Sequence, residues 1–333
     1  MIRTNHIINE ATVNNDNTNG GMDMKNNSIS KEEFAVMVKN AVEESLGAGY
    51  EVTVSNTVKN NSTCRTGLVI KKDGGCIAPV IYLEELFRSY QEGYADMYDI
   101  CKKVITLYEE NKLPSGFDVT GITDFEHCKD RICFKLVNAE RNSGLLASAP
   151  HRIVCGDLAV IYYVLVKHDR DGMASVILRN DLYSMWEKTE EEIFGVAMHN
   201  TQRMLRGSVQ SIQSVLMDII GRMDGCNSEF YDMAVSEDII PMYVCTNADK
   251  VNGAATMLYE GLLKEFSEKT GDDFYILPSS INEVLLVPMS AGTDPECLKA
   301  MVHAVNCQEV PAEEVLSDSV YVYRRITDSI EMV

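Results

Sequence analysis

The residues around position 150 have types and spacing that could support acid–base or nucleophilic chemistry. Pro150-His151-Arg152 precedes a long apolar segment, and Cys155 and Asp157 follow shortly after it. An imidazole titrates near neutral pH, so a histidine close to an aspartate and a cysteine can serve as a general base. The structural alternative is a histidine and an arginine at a strand entrance that bind backbone or a nearby carboxylate. His151, Arg152 and Asp157 form the first candidate catalytic set.

A second candidate catalytic set lies between two predicted strands in the last third of the chain. Ser279 or Ser280 could act as a nucleophile, with the carboxyl group of Glu283 close by. The structural alternative is a hairpin loop whose serine and asparagine side chains bond to backbone.

Two weaker patterns suggest anion binding. His199 and Arg203 are four residues apart in a predicted helix, so they share one face and could hold an anionic group together. Asn247 ends a predicted strand, and with the amides near Gly253 it could form a small anion site at a helix N-terminus. A solvated helix face and structural capping are the respective alternatives.

The sharper catalytic motifs are missing. The sequence contains no phosphate-binding G-x-x-x-x-G-K, no G-x-S-x-G, no H-E-x-x-H and no C-x-x-C pair. His168-Asp169 falls on a predicted hairpin turn, which does not suit a metal-dependent phosphohydrolase. We therefore expect no cofactor and no metal. The leading hypothesis is a binding or interaction protein without catalytic activity, and the alternative is a hydrolase or transferase of unrecognised type.

The charge of the chain bears on its partners. The 333 residues include 30 Lys and Arg against 50 Asp and Glu, a formal net charge of −20. Nucleic acid is bound by neutralising phosphates with basic residues, and no Lys/Arg-rich run occurs, so we expect no nucleic-acid partner. The excess acid either keeps the protein soluble or favours a basic protein partner. The oligomeric state is left open.

Hydropathy and cysteine usage bear on the compartment. The longest uninterrupted apolar run, residues 158–166, is too short to cross a bilayer as a helix, so we expect no membrane association. The ten cysteines form no C-x-x-C pair, and the chain shows no secretory signal. These features predict reduced thiols and a cytoplasmic location.

The pattern of elements predicts an α+β protein with mixed or antiparallel sheets. Residues 1–30 form an Asn-rich leader that we expect to be disordered, so translation could start at Met22 or Met24 instead of Met1. Capping boxes at Ser30 and Thr189 predict the starts of two helices. Three units follow the leader: an N-terminal α/β-meander unit at 31–130, a central β-hairpin unit with helices at 131–226, and a C-terminal α+β unit at 227–333.

Four element predictions are specific enough to compare with a structure. The hydrophobic patterns predict one long strand over residues 153–166, a helix over 208–223 and another helix over 252–269. The C-terminal elements follow the order β-α-β-β-α-β, which is the ferredoxin-like order.

Several short segments resemble a family of uncharacterised domains from anaerobic Gram-positive gut bacteria. The segments are Pro150-His151-Arg152, residues 157–163, Asn200-Thr201, residues 241–244, 277–280, 283–285 and 316–321. The resemblance spans roughly residues 31 to 326 of the chain. It implies a bacterial cytoplasmic protein and assigns no catalytic or binding residue.

Overall fold

The computed structural model describes residues 29–72, 79–111, 120–169, 172–221, 240–278 and 280–333. The leader predicted for residues 1–30 therefore lies outside the described residues, apart from its last two positions. Within these ranges the helices are α1 (Lys31–Leu46), α2 (Glu84–Gln91), α3 (Met97–Asn111), α4 (Phe125–Cys128), α5 (Ser143–Ala147), α6 (Asn180–Met185), α7 (Glu190–Met204), α8 (Ile212–Ile220), α9 (Leu262–Thr270) and α10 (Pro295–Gln308).

The strands fall into three sheets, and every strand pair in the described ranges is antiparallel. Together with the helices they confirm the predicted α+β class. The strands are β1 (Tyr50–Val58), β2 (Cys64–Lys72), β3 (Val80–Tyr82), β4 (Ile132–Asn138), β5 (His151–Cys155), β6 (Leu158–Asp169), β7 (Gly172–Ile177), β8 (Gly207–Ser211), β9 (Tyr243–Asn247), β10 (Phe274–Leu277), β11 (Val284–Pro288), β12 (Tyr321–Arg324) and β13 (Ser329–Met332).

Both capping boxes are confirmed. At the start of α1 the Ser30 hydroxyl accepts from the Glu33 amide at 3.1 Å, and the Glu33 carboxylate accepts from the Ser30 amide at 2.9 Å. Thr189 and Glu192 make the same reciprocal pair at the start of α7. These bonds satisfy amides that have no partner inside a helix, so the local sequence alone fixes where each helix begins.

The N-terminal elements build a sheet of order β1-β2-β3 that packs against α1 and α3. Their core is a separate apolar cluster that includes Phe34 and Val38 of α1, Leu68 of β2 and Val104 of α3, all fully buried. Each of these elements buries one face, which is the pattern expected for a sheet covered by helices on one side.

The central sheet is organised around the long strand β6. Strand β4 pairs along one side of it, whereas β5 and β7 lie end to end on the other side. Residues 158–165 of β6 are all buried, so both faces of this strand are covered. The predicted single strand at 153–166 is wrong: the chain turns at Gly156-Asp157, where Gly156 has a φ of +49°. This turn places Asp157 at an end of the sheet.

The C-terminal sheet has the order β13-β12-β10-β11-β9-β8. The predicted element order is present, and β9 and β10 flank the antiparallel strand β11, as in a ferredoxin-like sheet. The strand order nevertheless differs from a ferredoxin-like sheet. There the last strand pairs with the first, but here β8 occupies that edge of β9 and β12 pairs with β10 instead.

Two helix predictions are corrected in this part of the chain. Residues 208–223 contain strand β8 followed by α8, because Gly207–Ser211 pairs with β9. Residues 252–269 contain a 3₁₀ helix, Gly253–Leu258, and then α9. The break lies at Gly261, whose φ of +80° suits a glycine and does not continue a helix.

One apolar core joins the central and C-terminal sheets. It extends from Ile122 to Tyr323 and contains, for example, the Phe134 and Tyr259 rings, whose centroids are 6.3 Å apart. The predicted division into units at 130/131 and 226/227 stays a prediction. In the described part of the chain, no helix is long and apolar enough to span a bilayer.

Candidate functional site

Asp157 is the centre of a buried hydrogen-bond cluster. Its carboxylate accepts from the Asn138 amide at 3.0 Å, from the Ser317 hydroxyl at 2.7 Å and from the Tyr321 hydroxyl. Ser317 and Tyr321 are fully buried. Burial, followed by the hydrogen bond to Asp157, raises the pKa of Tyr321, so the phenol stays protonated as a donor. The cluster ties the β5–β6 turn to the end of β4 and to the start of β12.

Asparagine side chains link this cluster to the N-terminal sheet, at the turn between β1 and β2. Asn142 donates to the Asn138 carbonyl at 2.8 Å and to the Asn61 side chain at 2.9 Å. Asn61 in turn donates to the carbonyls of Ala312 and Val315 at 2.8 and 2.6 Å. Its φ of +57° is one that asparagine tolerates better than most residues. Three parts of the chain therefore meet here through side-chain amides.

His151 and Arg152 have partners that differ from those of Asp157. His151 is exposed, and its Nδ1 lies 2.9 Å from the Ala149 carbonyl. Arg152 donates to Glu190 at 2.6 Å and also to Glu191. Burial opposes ionisation of Glu190, but hydrogen bonds from Arg152 and Tyr162 outweigh it and lower the pKa of Glu190.

The three residues of the first candidate set therefore contact different groups. The Arg152 guanidinium also stacks 4.2 Å from the centroid of the Phe194 ring, which fixes it against α7. In the described residues, no hydrogen bond or ion pair joins His151 to Asp157. Their catalytic roles stay a prediction.

The second candidate set lies in the turn between β10 and β11. Ser279 falls outside the described residues. Ser280 is buried, its hydroxyl accepts from the Asn282 amide at 3.0 Å, and its own amide donates to the Glu283 carbonyl at 3.3 Å. Burial, and then the charge of Glu314, raise the pKa of Glu283. These bonds close a hairpin turn, and the catalytic role proposed for these residues stays untested.

The predicted anion-binding residues lie in two separate places, and anion binding at either of them stays a prediction. His199 and Arg203 are exposed on α7, and Arg203 donates to the Asp130 carbonyl at 3.2 Å. Asn247 is buried at the end of β9, where its amide donates to the Val251 carbonyl at 2.8 Å and its oxygen accepts from the Asp249 amide at 3.1 Å. Asn247 therefore shapes the turn after β9, as the structural alternative expects.

A groove that the sequence analysis missed lies between α1 and the turn from α2 to α3. It has a volume of about 1350 Å³. Its lining combines apolar and acidic side chains, and no Lys or Arg is among the described residues that line it. The lining residues are Ile29, Glu32, Glu33, Val36, Met37, Tyr90, Gln91, Gly93, Ala95 and Asp96.

Apolar side chains remain exposed at this groove. Val36 is 50% exposed and Met37 is 40% exposed, although the helical spacing of α1 predicts that Met37 faces the core. Tyr94 and Tyr98 in the neighbouring turn and helix start are also exposed. Apolar surface that is gathered in one place and rimmed by polar residues is typical of an interaction site. In the sequence, the only indication of this surface is the adjacent pair Val36 and Met37. Together they make the apolar face of α1 wider than the face that packs on the core.

In the described ranges, the fold and these sites define an α+β protein with three antiparallel sheets, a polar junction built by asparagine side chains and an open groove with an acidic rim. A family of unknown function (DUF5688) matches residues 31–325, and the chain belongs to this family. No curated protein and no solved structure matches the chain.

Proposed function

We propose that this chain is a binding protein, and that the groove between α1 and the α2–α3 turn holds a segment of a protein partner. The observation that carries the proposal is the pair of exposed apolar side chains, Val36 and Met37, which lie beside the half-buried Tyr90 in a groove with an acidic rim. Burial of apolar surface drives most protein association, at roughly 25 cal/mol for each Å² removed from water.

The charges around the groove favour a basic partner segment. Glu32, Glu33 and Asp96 line it, and the described part of the lining holds no basic residue. Hydrogen bonds from the backbone and the hydroxyl of Ser30 lower the pKa of Glu33, so this carboxyl group is charged at neutral pH. Lys or Arg side chains of a partner would meet these carboxylates, which steers association and selects against acidic segments. The partner segment is therefore apolar on one side and basic on the other.

The catalytic alternative receives less support from the geometry. Asp157 already accepts three hydrogen bonds, and Arg152 is held by two glutamates. A hydrolase or transferase built on His151, Arg152 and Asp157 would have to rearrange these contacts first.

We propose a bacterial cytoplasm as the location. Eight cysteines in the described residues are free thiols, and thiols persist in reducing compartments. The family resemblance is the support for a bacterial source.

Photo-crosslinking in the native host tests the proposed groove. A photoreactive amino acid replaces Met37 in one version and Met185 in the other, a matched methionine that is 59% exposed on α6. Mass spectrometry then identifies the crosslinked segments. We expect position 37 alone to capture a partner segment that is rich in Lys or Arg and in apolar residues.

A binding assay with the captured segment, as a synthetic peptide, completes the test. We expect Met37→Asp to weaken binding at least about tenfold, whereas Met185→Asp leaves it unchanged. Capture of an acidic segment, of a second copy of this chain or of its own residues 1–28, or the same partner at both positions, would overturn the proposal.

A further inference from the structure

A cysteine, a histidine and an aspartate are aligned at the C-terminal end of α10, outside the groove and outside the Asp157 cluster. Cys307 is exposed, and its Sγ lies 3.7 Å from Nε2 of His303, one helical turn earlier. The other ring nitrogen of His303, Nδ1, lies 3.7 Å from Oδ1 of Asp318. The imidazole thus stands between a thiol and a carboxylate, with one nitrogen facing each.

The Asp318 carboxylate is held in place by hydrogen bonds to both of its oxygens. Asn306 donates to Oδ1 of Asp318 at 2.9 Å and also to the Ser317 carbonyl at 2.8 Å. Arg141, in the turn between β4 and α5, donates to Oδ2 of Asp318. A fixed carboxylate beside Nδ1 favours the tautomer with the proton on Nδ1. Nε2 then has a free lone pair that faces the thiol.

This order of groups is the one that activates a nucleophile: thiol, base, and a group that orients the base. Distances of this length are common before a reactant binds, because such contacts tighten only in the reacting complex. The helix itself works against a thiolate, since Cys307 lies next to the last residue of α10, where the helix carbonyls carry partial negative charge. His303 is therefore the group that must accept the thiol proton.

We propose that Cys307 is a reactive thiol that exchanges with a low-molecular-weight disulfide, with His303 as its base and Asp318 as a positioning residue. In this step the thiol passes its proton to Nε2 of His303, and the thiolate attacks one sulfur of the disulfide RSSR. A new S–S bond joins Cys307 to that sulfur while the original S–S bond breaks. The leaving thiolate takes the proton from His303 and departs as RSH. The Cys307 sulfur is oxidised and the departing sulfur is reduced, and a free thiol reverses the step.

Two other exposed cysteines of the same chain are internal controls. Cys297 lies at the start of α10, where its Sγ is 3.7 Å from a carboxylate oxygen of Asp294. Cys64 is exposed at the start of β2. Neither of them has a hydrogen bond or ion pair to a histidine among the described residues. A thiol with ordinary chemistry is mostly protonated at pH 7 and reacts slowly, so without the base Cys307 would react no faster than Cys297 or Cys64.

The test incubates the full-length protein with oxidised glutathione at pH 7 and follows each cysteine by mass spectrometry. We expect Cys307 to be modified at least about tenfold faster than Cys297 and Cys64, because general-base assistance is worth that much or more. His303→Gln should reduce the Cys307 rate to that of the controls. The His303 side chain is 66% exposed, so this substitution leaves the fold intact, as circular dichroism can verify.

Asp318 is tested by a pair of substitutions. Asp318→Asn should slow Cys307, and Asp318→Glu should restore most of the rate, while the rate at Cys64 stays constant in both variants. Equal rates at the three cysteines of the unmodified protein, or a Cys307 rate that His303→Gln does not change, would overturn the proposal.

Discussion

Removal of the Asp157 carboxylate would show whether the polar cluster stabilises the fold. In Asp157→Ala, the Ser317 hydroxyl loses its acceptor, and the Tyr321 hydroxyl keeps only the Ser317 oxygen at 3.3 Å; both residues are fully buried. A buried donor without a partner costs about 1–3 kcal/mol. The two hydroxyls therefore predict a loss of about 2–5 kcal/mol in the free energy of unfolding. Tyr321→Phe removes one donor together with its need for an acceptor, so it should cost less.

Urea unfolding followed by tryptophan fluorescence measures this loss. The chain has one tryptophan, Trp186, which is buried in the core shared by the central and C-terminal sheets. The double variant Asp157→Ala/Tyr321→Phe should lose less than the sum of the single losses, since the two groups contact each other. Glu260→Ala is a matched control, because Glu260 is exposed and an exposed substitution changes stability by about 0.5 kcal/mol or less.

The reasoning would be refuted if Asp157→Ala behaved like the Glu260→Ala control. It would also be refuted if the losses of Asp157→Ala and Tyr321→Phe were additive, because additivity would mean that the hydroxyl and the carboxylate do not interact in the folded protein.

Two further predictions concern pH. Burial, together with the charge of Lys59, lowers the pKa of Lys135 to about 8. The cost of charging this buried amine therefore grows as pH falls from about 10.4, the ordinary lysine pKa, and is complete below about pH 8. Lys135→Met should therefore stabilise the chain at pH 7 by about 1–3 kcal/mol, with a benefit that shrinks towards pH 10, and equal benefits at both pH values in urea unfolding would contradict this. Burial also raises the pKa of several tyrosines in the described residues, four of them most strongly, so the stability from these neutral phenols is present below about pH 10 and is lost above it. An absorbance titration of the folded protein should show a late-ionising group among the 15 tyrosines, and a single step near pH 10 would contradict the burial argument. The four are Tyr162, Tyr163, Tyr259 and Tyr321.

Features fixed by neighbouring residues could be predicted from the sequence. The starts of α1 and α7 depend on Ser30 and Thr189 and on glutamates three residues later, all within one helical turn. Strand β4 is likewise indicated by nearby residues, because Ile132, Phe134 and Leu136 recur at every second position. Features that depend on residues far apart in the chain could not be predicted in this way. Strand β8 looks like part of a helix until β9 is available to pair with it.

The site shows the same division between local and distant causes. Asp157 is a candidate catalytic residue because it lies close to His151 in sequence. Its hydrogen-bond donors Ser317 and Tyr321, however, come from the far end of the chain. Met37 has the spacing of a core residue, yet it is partly exposed because it lines the groove beside the α2–α3 turn. The periodicity of α1 alone does not predict this exposure, because it depends on where the α2–α3 turn lies.

The place of β8 in the C-terminal sheet has a consequence for synthesis. The ribosome releases Gly207–Ser211 well before Tyr243–Asn247, which is its only paired neighbour in the described sheet. The nascent chain must therefore carry β8 without its partner until residues 243–247 have also left the ribosome. In the converse case, a fragment that starts at residue 227 would present β9 as an open edge, which invites aggregation. The two halves of this core are therefore expected to mature together, late in translation.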